Sequence, residues 1–408
     1  MTSTRSVRAT TLSIAAGVTI ASMAMNFWIP LLPLYMQEIG AGDRASALFW
    51  TAVANSALGV ARIVSGPIWG VISDRYGRKP MFVRTLCFAS GTILIVAAAQ
   101  TPWHIAIAFA CQGLFSGFNP AAVALMSVSV PEERMSASLG LVTGGQYLGT
   151  TLGPALGAAL VLFLGFRGSM VAGAALPLLA AAVVLIFVPR DEVRPRQQAA
   201  AGDAPAAPAR ALWRTLPRQF YFAVFIFFLV FALNQLVRLI TPLALQDIEG
   251  HQNVAWIAGL AFTISGAAAV AGLLLISRWF LRPGRLRPTL MVASLLAGAA
   301  SAGLALASSS AEFIVVFSFA SLLQAAMIPI TNTLIATNVS RERRGTGFGI
   351  ASSAQALALM AGPIAAAALG AASLNLAFVV IGLTFAALAG FVLIMVREPV
   401  LESSQAMA

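Results

Sequence analysis

Charge is scarce in this sequence. Only 10% of its 408 residues are Asp, Glu, Lys or Arg, while 59% are hydrophobic. Soluble domains carry about a quarter charged residues, so these few cannot cover a water-facing surface. A surface facing lipid can be built from them. Lysine occurs once, at Lys79, and no phosphate-cradling GxxxxGK[ST] loop is present, which excludes direct nucleotide drive. The two histidines, His104 and His251, have no third ligand nearby, so no metal site is expected. The two cysteines, Cys87 and Cys111, lie in apolar stretches, where buried free thiols rather than a disulfide framework are expected. No nucleophile and base pair up at membrane depth, so an enzyme is excluded and no cofactor is implied.

The abundant residues are apolar and arranged in runs. Mean hydropathy is +0.88, and runs long enough to span a bilayer recur at roughly 11–36, 46–71, 82–100, 103–128, 137–163, 168–188, 219–245, 254–277, 288–307, 311–336, 346–370 and 373–396. That pattern predicts an all-α membrane protein of twelve transmembrane helices. The first run lacks a cleavage site and reads as a helix rather than a signal peptide. The net charge of +11 sits in short loops between the runs, which excludes a basic nucleic-acid face. Alternate loops carry Arg75, Arg78 and Lys79; Arg134; Arg190 to Arg218; Arg278 to Arg287; and Arg341, Arg343 and Arg344. The intervening loops carry only Arg44 and Arg167, with Glu38, Asp43, Asp247, Glu249, His251 and Glu312. The positive-inside rule places the first set and both termini in the cytoplasm. Trp28, Trp50, Trp103 and Trp256 then fall near the outer boundaries, as an interfacial belt would, and the phenylalanines of 220–231 are expected to face lipid.

An Ala-, Pro- and Gly-rich stretch at 189–218 has linker composition and divides the chain into six-helix bundles at 1–188 and 219–408. The halves repeat. Pro33 recurs as Pro242, Gln37 as Gln246, Glu38 as Asp247, Pro120 as Pro329, Arg134 as Arg343, Gly140 as Gly349, Gln146 as Gln355, and Gly153-Pro154 as Gly362-Pro363. Every pair stands 209 positions apart. Parallel repeats of this kind build transporters whose halves rock about a midplane site.

The loop after the second run contains Gly70, Asp74, Arg75, Gly77, Arg78 and Lys79 in order, followed by Arg84. A carboxylate and several cations at a membrane boundary can latch one conformation, Asp74 facing a helix N-terminus; the plainer reading is a loop that only fixes topology. The fifth run contains Gly149, Gly153, Pro154 and Gly157. Glycines four apart allow close helix packing, and the proline breaks the hydrogen-bond ladder. The loop resembles the signature of the major facilitator superfamily, and the fifth-run string resembles the antiporter motif of its drug:proton antiporter branch. Helix one carries Pro30 and Pro33, also similar to that branch. The resemblance covers the whole chain. It implies a monomeric multi-pass protein of the bacterial inner membrane that exports small molecules against protons. One departure stands out: Phe109 occupies the place where that branch carries an arginine in the fourth helix.

Polar groups inside the runs are candidates for a substrate site: Asn26, Asn55, Arg62, Gln112, Gln146, Tyr147, Asn234, Gln235, Arg238, Gln324, Asn332 and Gln355. Ionisable groups at membrane depth are costly and so point to function. No Asp, Glu or Lys lies well inside a run, whereas Arg62 and Arg238 do. Two readings are open. Both arginines could bind an anionic substrate by charge-assisted hydrogen bonds. Alternatively Arg62 bonds helix-end carbonyls and Arg238 snorkels towards Asp247 or Glu249. The resemblance implies amphiphilic or drug-like cargo, and the two arginines carry the alternative, an organic anion such as a metabolite, phosphonate or siderophore.

Overall fold

A computed structural model describes residues 4–115, 117–130, 132–189, 216–251, 253–280, 284–339 and 344–397. The regular structure among the described residues is helical. Helices α1 (Thr4–Asn26), α2 (Leu32–Met36), α3 (Arg44–Tyr76), α4 (Arg78–Ala97), α5 (Pro102–Phe115), α6 (Phe118–Ser129), α7 (Glu132–Gly173) and α8 (Ala175–Phe187) come first. Then follow α9 (Arg218–Glu249), α10 (Val254–Phe280), α11 (Leu286–Gly303), α12 (Ser310–Thr337), α13 (Arg344–Ala372) and α14 (Leu374–Met395). In lipid each backbone amide must bond within its own segment, and helices do this.

Ten segments among the described residues are long and apolar enough to cross a membrane. The sequence count of twelve differs for two local reasons. The fifth and sixth runs join in one apolar stretch of 50 residues, Ser138–Phe187. Only Gly165, at φ 67°, and the turn at Ala174 interrupt it. The fourth run is broken near Gly117, which leaves α5 and α6 with 14 and 12 residues, each shorter than a spanning helix. Prolines 154, 242, 329 and 363 lie inside α7, α9, α12 and α13.

The described residues group into two compact units. One lies within Met1–Ala200 with Thr241–Ile264, the other within Ala201–Ile240 with Ser265–Ala408. The first unit has two apolar cores. One gathers Trp28, Tyr35, Ile93, Val96, Phe109 and Met170; the other gathers Ile14, Val18, Phe82, Leu86, Met126 and Val184. Trp28 is therefore a core residue, 2% exposed, not part of an interfacial belt. It meets Phe109 edge-on at 5.6 Å, so the position where the resembling branch has arginine serves packing. Phe220 and Phe227 are also buried, contrary to a lipid-facing row, while Phe225 is exposed. Both thiols are free, but Cys87 is exposed rather than buried, because it lies one step off the α4 stripe of Phe82, Leu86, Ala89 and Ile93.

Candidate functional site

The fifth-run glycines form a rail along α1. A side chain at Gly145 would meet the Ala15 carbonyl at 2.9 Å, and one at Gly153 would meet the Met23 carbonyl at 2.9 Å. At Gly149 and Gly157 it would strike the carbonyls of Thr19 and Phe27. Each step of four residues on α7 thus matches a step of four on α1, backbone against backbone. Gly145 extends the motif by one member that the resemblance alone did not mark. The second unit repeats the contact: a side chain at Gly362 of α13 would meet the Ala232 carbonyl of α9 at 2.6 Å. Ala232 stands 209 positions after Met23, so the repeat read in the sequence is a repeat of contacts. Pro154 has a further neighbour, since a side chain at Gly259 of α10 would meet its carbonyl at 2.8 Å.

The turn at Gly77 has φ 93°, a conformation that glycine adopts without strain. The side chains of Asp74 and Arg75 lie outside what the structure describes, and Gly70 falls within α3. The rest of the basic string is held by its own unit. Lys79 is buried and donates to the Leu185 carbonyl at 2.9 Å and to the Val188 carbonyl, which caps the C-terminus of α8. Arg78 donates to the Ala124 carbonyl of α6 at 2.9 Å. The Arg84 guanidinium lies over the Trp69 ring, 3.2 Å from its centroid. In the second unit Arg287 donates to the Leu393 carbonyl at the end of α14. Lys79 with Leu185 and Arg287 with Leu393 are the same cap in the two repeats. Arg287 follows Lys79 by 208 positions, one fewer than the 209 that relates Gln37 to Gln246.

The candidate substrate residues divide into tethered and open groups. Gln112 is buried and donates to the Met25 sulfur at 2.8 Å. Asn26 donates to the Ser22 carbonyl at 2.8 Å and reaches the Thr150 hydroxyl at 3.5 Å. Asn55 donates to the Thr51 carbonyl at 2.8 Å. Asn234 donates to buried Gln324 at 3.1 Å. Of these five hydrogen bonds, Gln112 to Met25, Asn26 to Thr150 and Asn234 to Gln324 join helices, and the other two lie within one helix. Gln146, Tyr147, Gln235, Asn332 and Gln355 are half-buried. Arg238 is half-buried and partnered. The Asp247 named as its possible outlet pairs instead with Arg44. Arg62 is exposed, and its guanidinium has no partner among the described residues. It projects from the α3 face that carries Asn55, Gly59 and Ser65.

The end of the first unit that bears Asp43 holds contacts the sequence did not announce. Arg44, in the first turn of α3, forms an ion pair with Asp247 at the end of α9. Gln246 donates to Gln37 at 3.0 Å. These two amides are repeat equivalents bonded to each other. Beside them opens a cavity of about 610 Å³ walled by Gln37, Glu38, Phe166, Gln246, His251, Asn253 and Trp256, among others. The signal that could have found this end was the string Gln-Glu-Ile repeated as Gln-Asp-Ile; what it lacked was the information that the two copies meet.

Comparison with known proteins agrees with this build. A family model described as Major Facilitator Superfamily matches residues 14–310 and 257–407. Multidrug resistance protein MdtG of Proteus mirabilis (strain HI4320) is 28% identical over 258 residues, 62% of this chain and 62% of that protein. Multi-drug resistance efflux pump PmrA of Streptococcus pneumoniae serotype 4 (strain ATCC BAA-334 / TIGR4) is 24% identical over 257 residues, again 62% of each. Both alignments span less than two thirds of the relative's length. The human organic anion transporter MFSD10 (TETRAN) has a similar structure, with a TM-score of 0.66 at 18% identity over 95% of this chain and 99% of that one; at that identity the likeness is one of fold. The chain belongs to the Major Facilitator Superfamily.

Proposed function

We propose that the protein exports small amphiphilic or drug-like molecules by proton-coupled antiport. Twelve helices in two bundles, 1–188 and 219–408, would rock about a central site, joined by the linker 189–218. The observation that carries this reading is the glycine rail of Gly145, Gly149, Gly153 and Gly157 along α1, with its counterpart at Gly362. It makes each α1–α7-type pair a rigid backbone-to-backbone plate, which is what a rocking bundle needs. The names of relatives, multidrug resistance protein and efflux pump, support the export of drugs. In this reading the termini face the cytoplasm of a bacterial inner membrane, the protein works as a monomer, and Asp74 with Arg75 latches the cytoplasmic side.

Proteoliposome counterflow at two pH values tests the coupling: cargo exchange that ignores an imposed pH gradient would overturn the proton part. Asp74→Asn should slow transport while substrate binding persists. Equal loss of both would remove the latch.

A second reading rests on Arg62, an exposed guanidinium without a partner among the described residues. It fits an organic-anion cargo. A thermal-shift screen of cationic, neutral and anionic ligands separates the two, and Arg62→Gln with unchanged range and affinity would end the second.

A further inference from the structure

One seam recurs in both repeats and is closed differently in each. In the second unit Asn234 of α9 donates to the side-chain oxygen of Gln324 of α12 at 3.1 Å, amide to amide. Met25 of α1 stands where Asn234 does, 209 positions earlier. Gln112 of α5 reaches it, but the acceptor there is the Met25 sulfur, at 2.8 Å, and a thioether accepts only weakly. Trp28 follows Met25 by three positions, and Phe109 precedes Gln112 by three. Trp28 meets Phe109 edge-on, so the two contacts are successive rungs between the end of α1 and α5.

These rungs leave two polar atoms without a hydrogen-bond partner among the described residues: Oε1 of Gln112 and Nε1 of Trp28. Both residues are only 2% exposed. The first atom is an acceptor and the second is a donor only. Turning the amide over would set its oxygen against the Met25 sulfur, which has no hydrogen to give, so the oxygen is unpaired either way. The hydroxyls of Ser22 and Ser56 also lack partners. A hydroxyl can rotate onto a carbonyl of its own helix, as those of Ser13 and Thr19 do; an indole N–H held by a packed ring cannot. A buried donor and a buried acceptor left unmade are costly, and interiors seldom tolerate them. Three residues of helix rise about 4.5 Å, and one water joining two polar atoms spans about 5.6 Å between them.

We propose that the first unit binds one ordered water between Trp28 and Gln112, which accepts from the indole N–H and donates to the amide oxygen. The second unit joins its seam directly through two amides; the first joins it through this water, at nearly the same enthalpy. The site is separate from Arg62 and does not depend on which cargo the protein moves.

X-ray radiolytic labelling of the purified full-length protein in detergent, read by mass spectrometry, tests this. A bound water is itself converted to the hydroxyl radical that oxidises its neighbours, so burial does not protect a side chain beside it. The same apolar core supplies the controls, since Met36 and Met170 are buried there with Met25 and Trp28. Met25 should be oxidised roughly five-fold faster than Met36 and Met170. Gln112→Leu removes the acceptor and should return Met25 to the control rate and slow Trp28 by a similar factor. Met25→Asn, which gives the amide oxygen a direct partner as in the second unit, should also slow Trp28. Size-exclusion profiles and melting temperatures check that each variant is folded, and Met25→Asn stands alone if Gln112→Leu does not fold. Oxidation of wild-type Met25 at the rate of Met36 and Met170 would overturn the site. So would fast oxidation of Trp28 that persists in both variants, which would mark entry of bulk solvent rather than a bound water.

Discussion

The two repeats agree in one place and part in another. In the first unit Lys79 caps the end of α8 at Leu185 and Val188; in the second Arg287 caps the end of α14 at Leu393. At the Asp43-bearing end, by contrast, Asp247 has Arg44 while its equivalent Glu38 faces Asn253 across an open cavity. A helix end in lipid needs a donor for its last carbonyls in either repeat, whatever the protein does. An ion pair at the rim has no such obligation, so one copy is free to diverge and acquire a use. Duplication is kept where the backbone demands it and lost where a side chain can be spared.

The glycine contacts are the strongest test of the shared part. Gly153→Leu and Gly362→Leu should fail alike, each costing about 3 kcal/mol or preventing recovery of folded protein, because the obstacle is a carbonyl that cannot rotate away. Melting temperature and monodispersity in detergent read the result; a wild-type melt for either would mean that its helices do not meet as described. Next come the caps. Lys79→Met leaves buried carbonyls without a donor and should cost about 2 kcal/mol. Arg287→Met removes an exposed bond and should cost less than about 1 kcal/mol. If the order reverses, the second cap is the principal one and the comparison must be redrawn.

The rim effects are smaller. Arg44 and Asp247 are partly exposed, at 38% and 46%, so Asp247→Asn should lower stability by at most about 1 kcal/mol, and by less in high salt. Glu38→Gln, with no pair to lose, should stay within about 0.5 kcal/mol; melts at two salt concentrations distinguish them. The smallest effect is a pH dependence at Asp43. Hydrogen bonds from Ser46, side chain first and backbone second, hold the Asp43 carboxyl below its ordinary value of 3.8. A lowered carboxyl adds stability above the ordinary value and loses it as pH falls through the lowered one. The difference in melting temperature between wild type and Asp43→Ala should therefore be present at neutral pH. It should shrink only below the ordinary carboxylate range.

Much of this was legible in the sequence, because membrane helices announce themselves by composition and the repeat keeps one offset. That Gly149, Gly153 and Gly157 share one helix face follows from their spacing, whereas the partner of that face, α1, is supplied only by the structure. The caps were hidden because Lys79 and Arg287 stand 208 apart rather than 209, so a search at one offset passes over them. Trp28 was read as interfacial from its position near the end of an apolar run, yet Phe109 and the surrounding core take it inside. The partners of Gln112 and Asn234, Met25 and Gln324, have no local signal in the sequence and come only from tertiary contacts. The pairing of Arg44 with Asp247 joins residues 203 positions apart, and nothing local specifies it.

The bond from Gln246 to Gln37 has an electrical consequence. Both partners are neutral amides. Parting them moves no net charge along the membrane normal, so a voltage across the bilayer does no work on that contact. Protons and salt have no direct purchase on it either, since neither amide titrates in the physiological range. A fastener of this kind holds with the same strength in an energised cell and a depleted one, and any sensitivity to the cell's energy must enter through charged groups elsewhere.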